Sequence, residues 1–404
     1  MYKLTAILIL AFLLQLRAYA YEVTPKDSPV QLDLYGTILA NGYWNSNGIF
    51  SSDVPLWVVS GSDQRAQDKE FGIIARQTRF GIKIKGPDVG KAKLSGVLET
   101  DFFGGFPISG QAASFADLRL RLAYAKLEWT HVSFLAGQDW IILAPLNPTT
   151  YSHYAIVGFA TAGNLWLRYP QFRFDAWKQT GDSKIGITAG IIRPVAGSDV
   201  ITGGTLVDTA GAGERSGMPF FQSRLYYSGK NAGAGFSTHY GRENYKLGPS
   251  NAVKEVNLDS WAVAGDFQAS LGAMFRVQGE IFTGSNLDSF QGGINQGFSI
   301  NAPSFAEATS IRAIDTTGGW IQFSVIPPKY NNVSFNIAYG IDHPNDTDLS
   351  QGQRSENSGV MANVIWKHTK HFHSAYEYSY MKTKFKGLPE NHASVINVAF
   401  GFFF

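Results

Sequence analysis

The chain has 404 residues, 34 Lys and Arg against 32 Asp and Glu, a formal net charge of +2, and no Cys. Its mean hydropathy of −0.09 excludes a bundle of membrane helices, each of which needs roughly 20 consecutive apolar residues. The missing Cys excludes disulfides and thiolate metal sites, and the near-zero charge argues against a nucleic-acid partner. What is left is 16% charged and 14% aromatic with 43 Gly, a composition of strands, turns and aromatic surface.

At the N-terminus, Lys3 precedes an apolar run over 4–14, followed by Ala18-Tyr19-Ala20. This predicts a signal peptide over 1–20, cleaved after Ala20. The remainder, 21–404, reads as a single barrel domain of an exported protein. Sixteen strands are predicted near 31–43, 76–86, 91–102, 117–128, 132–138, 164–177, 184–193, 219–228, 232–242, 255–269, 273–283, 318–326, 332–341, 359–368, 372–383 and 392–404. Their shared mark is a period of two. Phe80, Ile82 and Ile84 alternate with Arg79, Gly81 and Lys83. Leu118, Leu120, Leu122 and Tyr124 alternate with Arg119, Arg121, Ala123 and Ala125. Ile321 and Phe323 alternate with Gln322 and Ser324. The last strand carries Ile396, Val398, Phe400, Phe402 and Phe404 on one face, and small or polar residues on the other, apart from Phe403.

Alternation alone does not separate a soluble sandwich from a membrane barrel. The connections favour the barrel. Short turns such as 86–90, 129–131, 228–231 and 270–272 alternate with long loops at 44–75, 139–163, 194–218, 284–317 and 342–358. Outer-membrane barrels have this asymmetry, with short periplasmic turns and long extracellular loops. The expected fold is all-β: a sixteen-stranded antiparallel transmembrane β-barrel, closed because hydrocarbon cannot satisfy a strand edge. A barrel of this size encloses an aqueous channel. Phe400, Phe402 and Phe404 read as the assembly signal on the last strand, and the expected location is the outer membrane of a Gram-negative bacterium.

The loop after the fifth strand is apolar and would be poorly soluble in water. It is expected to fold into the barrel and narrow it, presenting Asp139, Trp140, Tyr151, His153 and Tyr154. On the inward faces, Arg79, Lys83, Arg119 and Arg121 lie on neighbouring strands, with Arg168, Arg173, Arg224 and Arg276 further round the wall. Inward carboxylates are fewer: Glu99, Asp101, Glu280 and Glu377. Arg119 and Arg121 are expected to pair in part with Glu99 and Asp101. The remaining Arg would leave the lumen positive and favour anions, carboxylates above all, which match the guanidinium fork. The competing expectation is that loop acids such as Asp342, Asp346 and Asp348 neutralise them.

Several stretches together resemble the Gram-negative trimeric porins, and more narrowly the DcaP-like porins. They are Leu34-Tyr35-Gly36, Arg79-Phe80-Gly81-Ile82-Lys83, Leu118-Arg119-Leu120-Arg121-Leu122-Ala123-Tyr124, Gly137-Gln138-Asp139-Trp140, Tyr169-Pro170-Gln171-Phe172-Arg173 and the terminal Phe404. The general resemblance spans the mature chain, and the narrower one lies mainly over 76–175. It implies a homotrimer and passive uptake of small, often anionic solutes such as dicarboxylates. It also implies that Arg119, Arg121, Arg168 and Arg173 line the constriction. One departure is that 21–30 is too short for the heptads of the periplasmic coiled coil some members carry.

No enzyme, cofactor or metal is expected. Ser237 and His239 share a strand face but lack a third catalytic group. His368, His371 and His373 sit at a turn without a fourth ligand nearby. The expected partners are outer-membrane lipid, the barrel-assembly machinery acting through the last strand, further copies of the chain, and small anions. The alternative is a plugged structural or adhesive barrel whose long loops bind a surface partner.

Overall fold

A computed structural model describes residues 28–104, 116–197, 210–249 and 251–404. The predicted signal peptide lies outside the described residues. Sixteen antiparallel wall strands are found among them. They are β1 (Gln31–Asn45), β2 in two segments (Glu70–Ile74 and Arg79–Lys85), β3 (Lys93–Gly104), β4 (Asp117–Glu128), β5 (Val132–Trp140), β6 (Arg168–Thr180), β7 (Ser183–Ile192) and β8 (Phe220–Ser228). The circuit continues with β9 (Ala232–Leu247), β10 (Lys254–Leu271), β11 (Phe275–Ser285), β12 (Asp315–Val325), β13 (Val333–Pro344), β14 (Arg354–Lys367), β15 (Phe372–Phe385) and β16 (Leu388–Phe403).

Each strand pairs with its sequence neighbours, and β16 closes on β1 from Thr37↔Phe403 to Asn45↔Val395. The terminal Phe404 completes the seam, exchanging backbone hydrogen bonds with Gly36 at 3.0 and 3.1 Å. Gly36 is required there, because a Cβ would stand 2.5 Å from Phe404 Cζ and 2.7 Å from Arg79 O. No wall edge is left open, as a lipid setting demands.

The faces are inverted relative to a soluble protein. Ile281 and Ile185 are each 64% exposed on the outside, whereas Asn41, Gln322 and Asn357 are at most 1% exposed on the inside. This resolves the ambiguity that the period of two leaves open. Isoleucine faces the surroundings and amides face the lumen.

Three expectations are corrected. First, the predicted second strand at 76–86 has a further segment, Glu70–Ile74, which also pairs with β1. The break between the segments turns Arg76 and Gln77 inward, and that irregularity hid the first segment. Second, β4 carries a bulge: Glu99 faces Leu122 but Thr100 faces Leu120, so Arg121 is the extra residue. One inserted residue exchanges the two faces. Leu122 therefore shares the lumenal face of Glu99 instead of continuing the outer stripe of Leu118 and Leu120. Ala123 and Ala125 move to the outside. Third, not all the outer connections are long. The link 248–253 is short, and β15 and β16 meet across 386–387 with Gly387 at φ +69°.

An Ile281→Arg substitution places a charge on the lipid-facing wall and should destabilise the folded barrel by about 2–4 kcal/mol if it lies near the bilayer midplane. Urea titration in lipid vesicles measures this. An unchanged midpoint would contradict the outward assignment.

Candidate constriction and lumen

The connection between β5 and β6, residues 141–167, runs inside the barrel. Asp139 and Trp140 close β5 and do not open the loop, and the segment 164–167, expected in a strand, belongs to the loop. A backbone passing through the lumen has few partners of its own, and buried N–H and C=O groups must be paired. The wall supplies the partners in sequence around the barrel. Gln222 on β8 accepts from the amides of Ile142 and Leu143. Glu280 on β11 accepts from Leu146 N at 2.6 Å. Gln322 on β12 accepts from Thr149 N at 2.7 Å, and Asn363 on β14 donates to Thr149 O. Glu377 on β15 accepts from Thr150 Oγ1 at 2.6 Å and from Ser152 Oγ. Asn41 on β1 donates to Tyr151 O at 2.9 Å.

Gln77, at the break in β2, then binds the loop from both ends of its amide. Its Nε2 donates to Ser152 O at 2.9 Å, and its Oε1 accepts from Tyr154 N and Ala155 N at 2.8 and 2.9 Å. The loop thus makes nearly a full circuit, pinned to wall strands from β8 through β16 to β1 and β2. It returns through an apolar cluster in which Ile156, Val157, Ala160 and Trp166 pack on Val54, Leu56 and Trp57 of the first outer loop and on Ile294 of the loop before β12. That outer loop is held by a buried bidentate ion pair, Arg76 to Asp53 at 2.6 and 2.7 Å.

The exceptional Phe403 has a role here. It points inward, 4.2 Å from His373 and 5.7 Å from Tyr151 between ring centroids, and His373 Nδ1 lies 2.9 Å from Tyr151 Oη. Tyr154 Oη lies 2.9 Å from Thr37 Oγ1. His153 is held among loop and wall groups; burial lowers its pKa to about 4, so the ring is neutral at pH 7.

Of the expected charged residues, five form one cluster. Arg119 binds Asp101 at 3.0 and 2.6 Å. Arg121 spans both carboxylates, reaching Glu99 at 2.7 Å and Asp101 at 2.8 Å. Arg79 Nε lies 3.8 Å from Glu99. Arg79 also donates to Tyr154 O, and Arg119 and Arg121 both donate to Ala155 O. The cluster therefore fixes the loop as well as charging it.

Arg168 differs from these. Its guanidinium carbon sits 4.6 Å from the Trp140 ring and 5.4 Å from the Trp166 ring. The residue is 8% exposed, and its Nη1 is buried without a hydrogen-bond partner. It lies within electrostatic reach of Arg79, Arg119, Arg121 and Asp101, but no ion pair among the described residues ties it to a carboxylate.

Arg173 and Arg224 form a separate group. Arg173 pairs with Asp139 at 2.9 Å and lies 3.7 Å from Asp175. Arg224 pairs with Asp266 at 2.7 Å. Both line a cavity of about 470 Å³ beneath the start of the inward loop. Lys83 lies towards the turn end, its Nζ 5.1 Å from the Tyr35 ring, and Arg276 stands beside a turn-end cavity. The three turn histidines are engaged in hydrogen bonds: His368 to Ser374, His371 to Phe403 O and His373 to Tyr151.

Sequence reasoning missed Arg76, Gln77, Asn41, Gln222 and Asn363. The signal was present for Asn41, Gln222 and Asn363, which are uncharged polar residues at inward positions of otherwise regular strands. Charge drew attention away from them. A Gln77→Leu substitution removes the contacts to Ser152, Tyr154 and Ala155, and the Tyr154 and Ala155 amides should exchange hydrogen about tenfold faster or more, matching a loss of roughly 1 kcal/mol or more. Unchanged protection by hydrogen-exchange mass spectrometry would contradict the clamping role.

Comparison with protein-family models finds no match, and comparison with curated proteins finds none. Solved structures do match. The outer membrane channel DcaP of Acinetobacter baumannii aligns with a TM-score of 0.71 at 17% identity, over 95% of this chain and 99% of that one. An anion-selective porin from Comamonas acidovorans aligns at 0.58 and 12% identity, over 93% and 100%. Salmonella typhi OmpF aligns at 0.55 and 11% identity, over 93% and 98%. The chain therefore has the fold of the outer-membrane porins, DcaP among them.

Proposed function

We propose that the protein is a porin of the Gram-negative outer membrane, exported with a signal peptide over 1–20 that leaves 21–404 as the barrel. It passes small hydrophilic solutes down their gradients and prefers anions such as small carboxylates. No bond chemistry is involved. The wall excludes lipid, the inward loop limits size, and fixed cations set the charge preference.

The observation that carries this reading is the imbalance at the constriction. Arg79, Arg119, Arg121 and Arg168 carry four positive charges, and Glu99 and Asp101 carry two negative ones, leaving +2. Arg119 and Arg121 are tied to carboxylates. Arg168 has no ion pair among the described residues, so its charge is the one least neutralised.

The reading extends to assembly. Gly96, Ala125 and Ala136 stand opposite one another in register on β3, β4 and β5, and with Ala123 they make a low outer surface over the first strands. That surface suits close packing of copies, and supports a homotrimer. The outward Phe400, Phe402 and Phe404 suit recognition of the last strand by the barrel-assembly machinery. The plugged adhesive alternative is favoured by no specific observation.

An Arg168→Gln variant should move the zero-current potential under a salt gradient towards zero, while the folded barrel keeps its heat-modifiable migration. Replacing Arg119 and Arg121 with Ala should also lower anion preference. An Arg168→Gln channel with the parent's selectivity would contradict the assignment of selectivity to that residue.

A further inference from the structure

The constriction does not use all the cations of the lumen. A second set lies at the turn end, where β1 begins and β16 ends. Lys184 is the second residue of β7, Lys230 sits in the turn 229–231, and Arg276 is the second residue of β11. The register joins them into one arc. Lys184 stands opposite Ser228, Ser270 N donates to Asn231 O at 2.7 Å, and Ser270 stands opposite Arg276.

The strand faces show that this arc belongs to the lumen. Arg276 alternates with Phe275, which is 50% exposed on the outside. Lys184 Nζ sits 3.9 Å from the Trp177 ring and 5.7 Å from the ring of Tyr226, which lines the lumenal cavity with Arg224. Lys230 and Arg276 border a cavity of about 220 Å³ whose other walls include Asn231, Gln268, Ser270 and Gln278. Those groups are amides and a hydroxyl, and none is a carboxylate.

Lys184, Lys230 and Arg276 have no ion pair among the described residues, in contrast to Lys85 with Asp33 at 3.4 Å. The buried carboxylates of the lumen lie elsewhere and are otherwise engaged. Glu243, Glu280, Asp342 and Glu377 are buried, held by neutral donors such as Tyr245, Trp320, Thr316 and Asn363. No ion pair among the described residues therefore cancels the turn-end cations. Inside low-dielectric walls their fields add, and they raise local counter-ion concentration by about 10–1000-fold.

We propose that the turn-end vestibule is a binding site for compact multivalent anions of the oligophosphate class, separate from the constriction and entered from the turn side. Lys230 and Arg276 meet at one cavity, and Lys184 stands further along the same arc on β7. A chain of phosphates extends along this arc and meets more than one cation, whereas a monovalent anion meets one at a time. Lysine ammonium and arginine guanidinium groups both suit phosphate oxygens. The proposal rests on the porin reading only for access to the vestibule.

The test uses the full mature protein in detergent and sodium tripolyphosphate as the probe. Calorimetric titration should show binding that weakens by about tenfold or more in a Lys184→Gln, Lys230→Gln and Arg276→Gln triple variant whose heat-modifiable migration is intact. Single substitutions serve if the triple variant does not fold. Absence of binding to the folded parent, or equal affinity in the variants, overturns the proposal. In a planar bilayer, tripolyphosphate on the turn side should block current at concentrations that have no effect from the loop side. Equal block from both sides would assign the site to the constriction and overturn the proposal. A folded protein that binds the probe but carries no current would contradict the porin reading and leave this site standing.

Discussion

A polypeptide threaded through the inside of a barrel has to satisfy its own backbone, and much of this structure follows from that requirement. The inward loop makes few hydrogen bonds within itself, such as Ile141 N to Leu167 O and Ala162 N to Phe159 O. Wall side chains placed strand by strand meet many of its other groups, and neighbouring loops meet further ones, as Phe290 O does for Trp166 N. Gln222, Gln322, Asn363, Asn41 and Gln77 are therefore less a hydrophilic lining than a set of brackets. They hold the loop to the wall and leave its outer turns to pack against the first outer loop. The same side chains would cost free energy if left bare, since an unpaired buried amide loses roughly 1–3 kcal/mol.

The charged cluster serves two purposes at once. Arg119 and Arg121 neutralise Glu99 and Asp101 and also hold Ala155 O. On the proposed reading, anchoring the loop and carrying pore charge are therefore linked, and the more heavily paired an arginine is, the less it contributes to the field in the channel. Arg168 is the contrasting case. Aromatic rings shelter it where other residues use carboxylates, and cation–π contact compensates desolvation without cancelling charge. Its selection by two tryptophans at opposite ends of the loop, Trp140 and Trp166, ties the charge to the point where the loop leaves and rejoins the wall.

The barrel itself was legible in the sequence because its wall strands obey a period of two and its loops differ in length. What was not legible lies where one residue breaks that period. The stripe from Leu118 to Tyr124 reads the same with or without a bulge, and only the pairing with β3 reveals that Arg121 is extra. The second strand was read as starting at 76, with 70–74 assigned to the long loop, whereas Arg76 and Gln77 lie in the break between its two segments. The strands read over 372–383 and 392–404 likewise stop short of the tight hairpin that β15 and β16 form across 386–387. The inward course of the loop after β5 was readable from its apolar composition. Its partners were not, because a hydrogen bond between residues far apart in sequence, such as Asn41 and Tyr151, leaves no local pattern. Phe403 was visible as an exception to the last strand's polar face, but its reason lies in Tyr151 and His373.

The central claim is that a positive constriction makes this barrel an anion-preferring channel. The most direct measurement is the zero-current potential of single channels of the purified protein in a planar bilayer with a KCl gradient. The account predicts discrete open steps and a potential of the sign set by chloride movement. A cation-signed potential would contradict the assignment of the lumenal charge, and folded barrels that carry no current would contradict the channel itself.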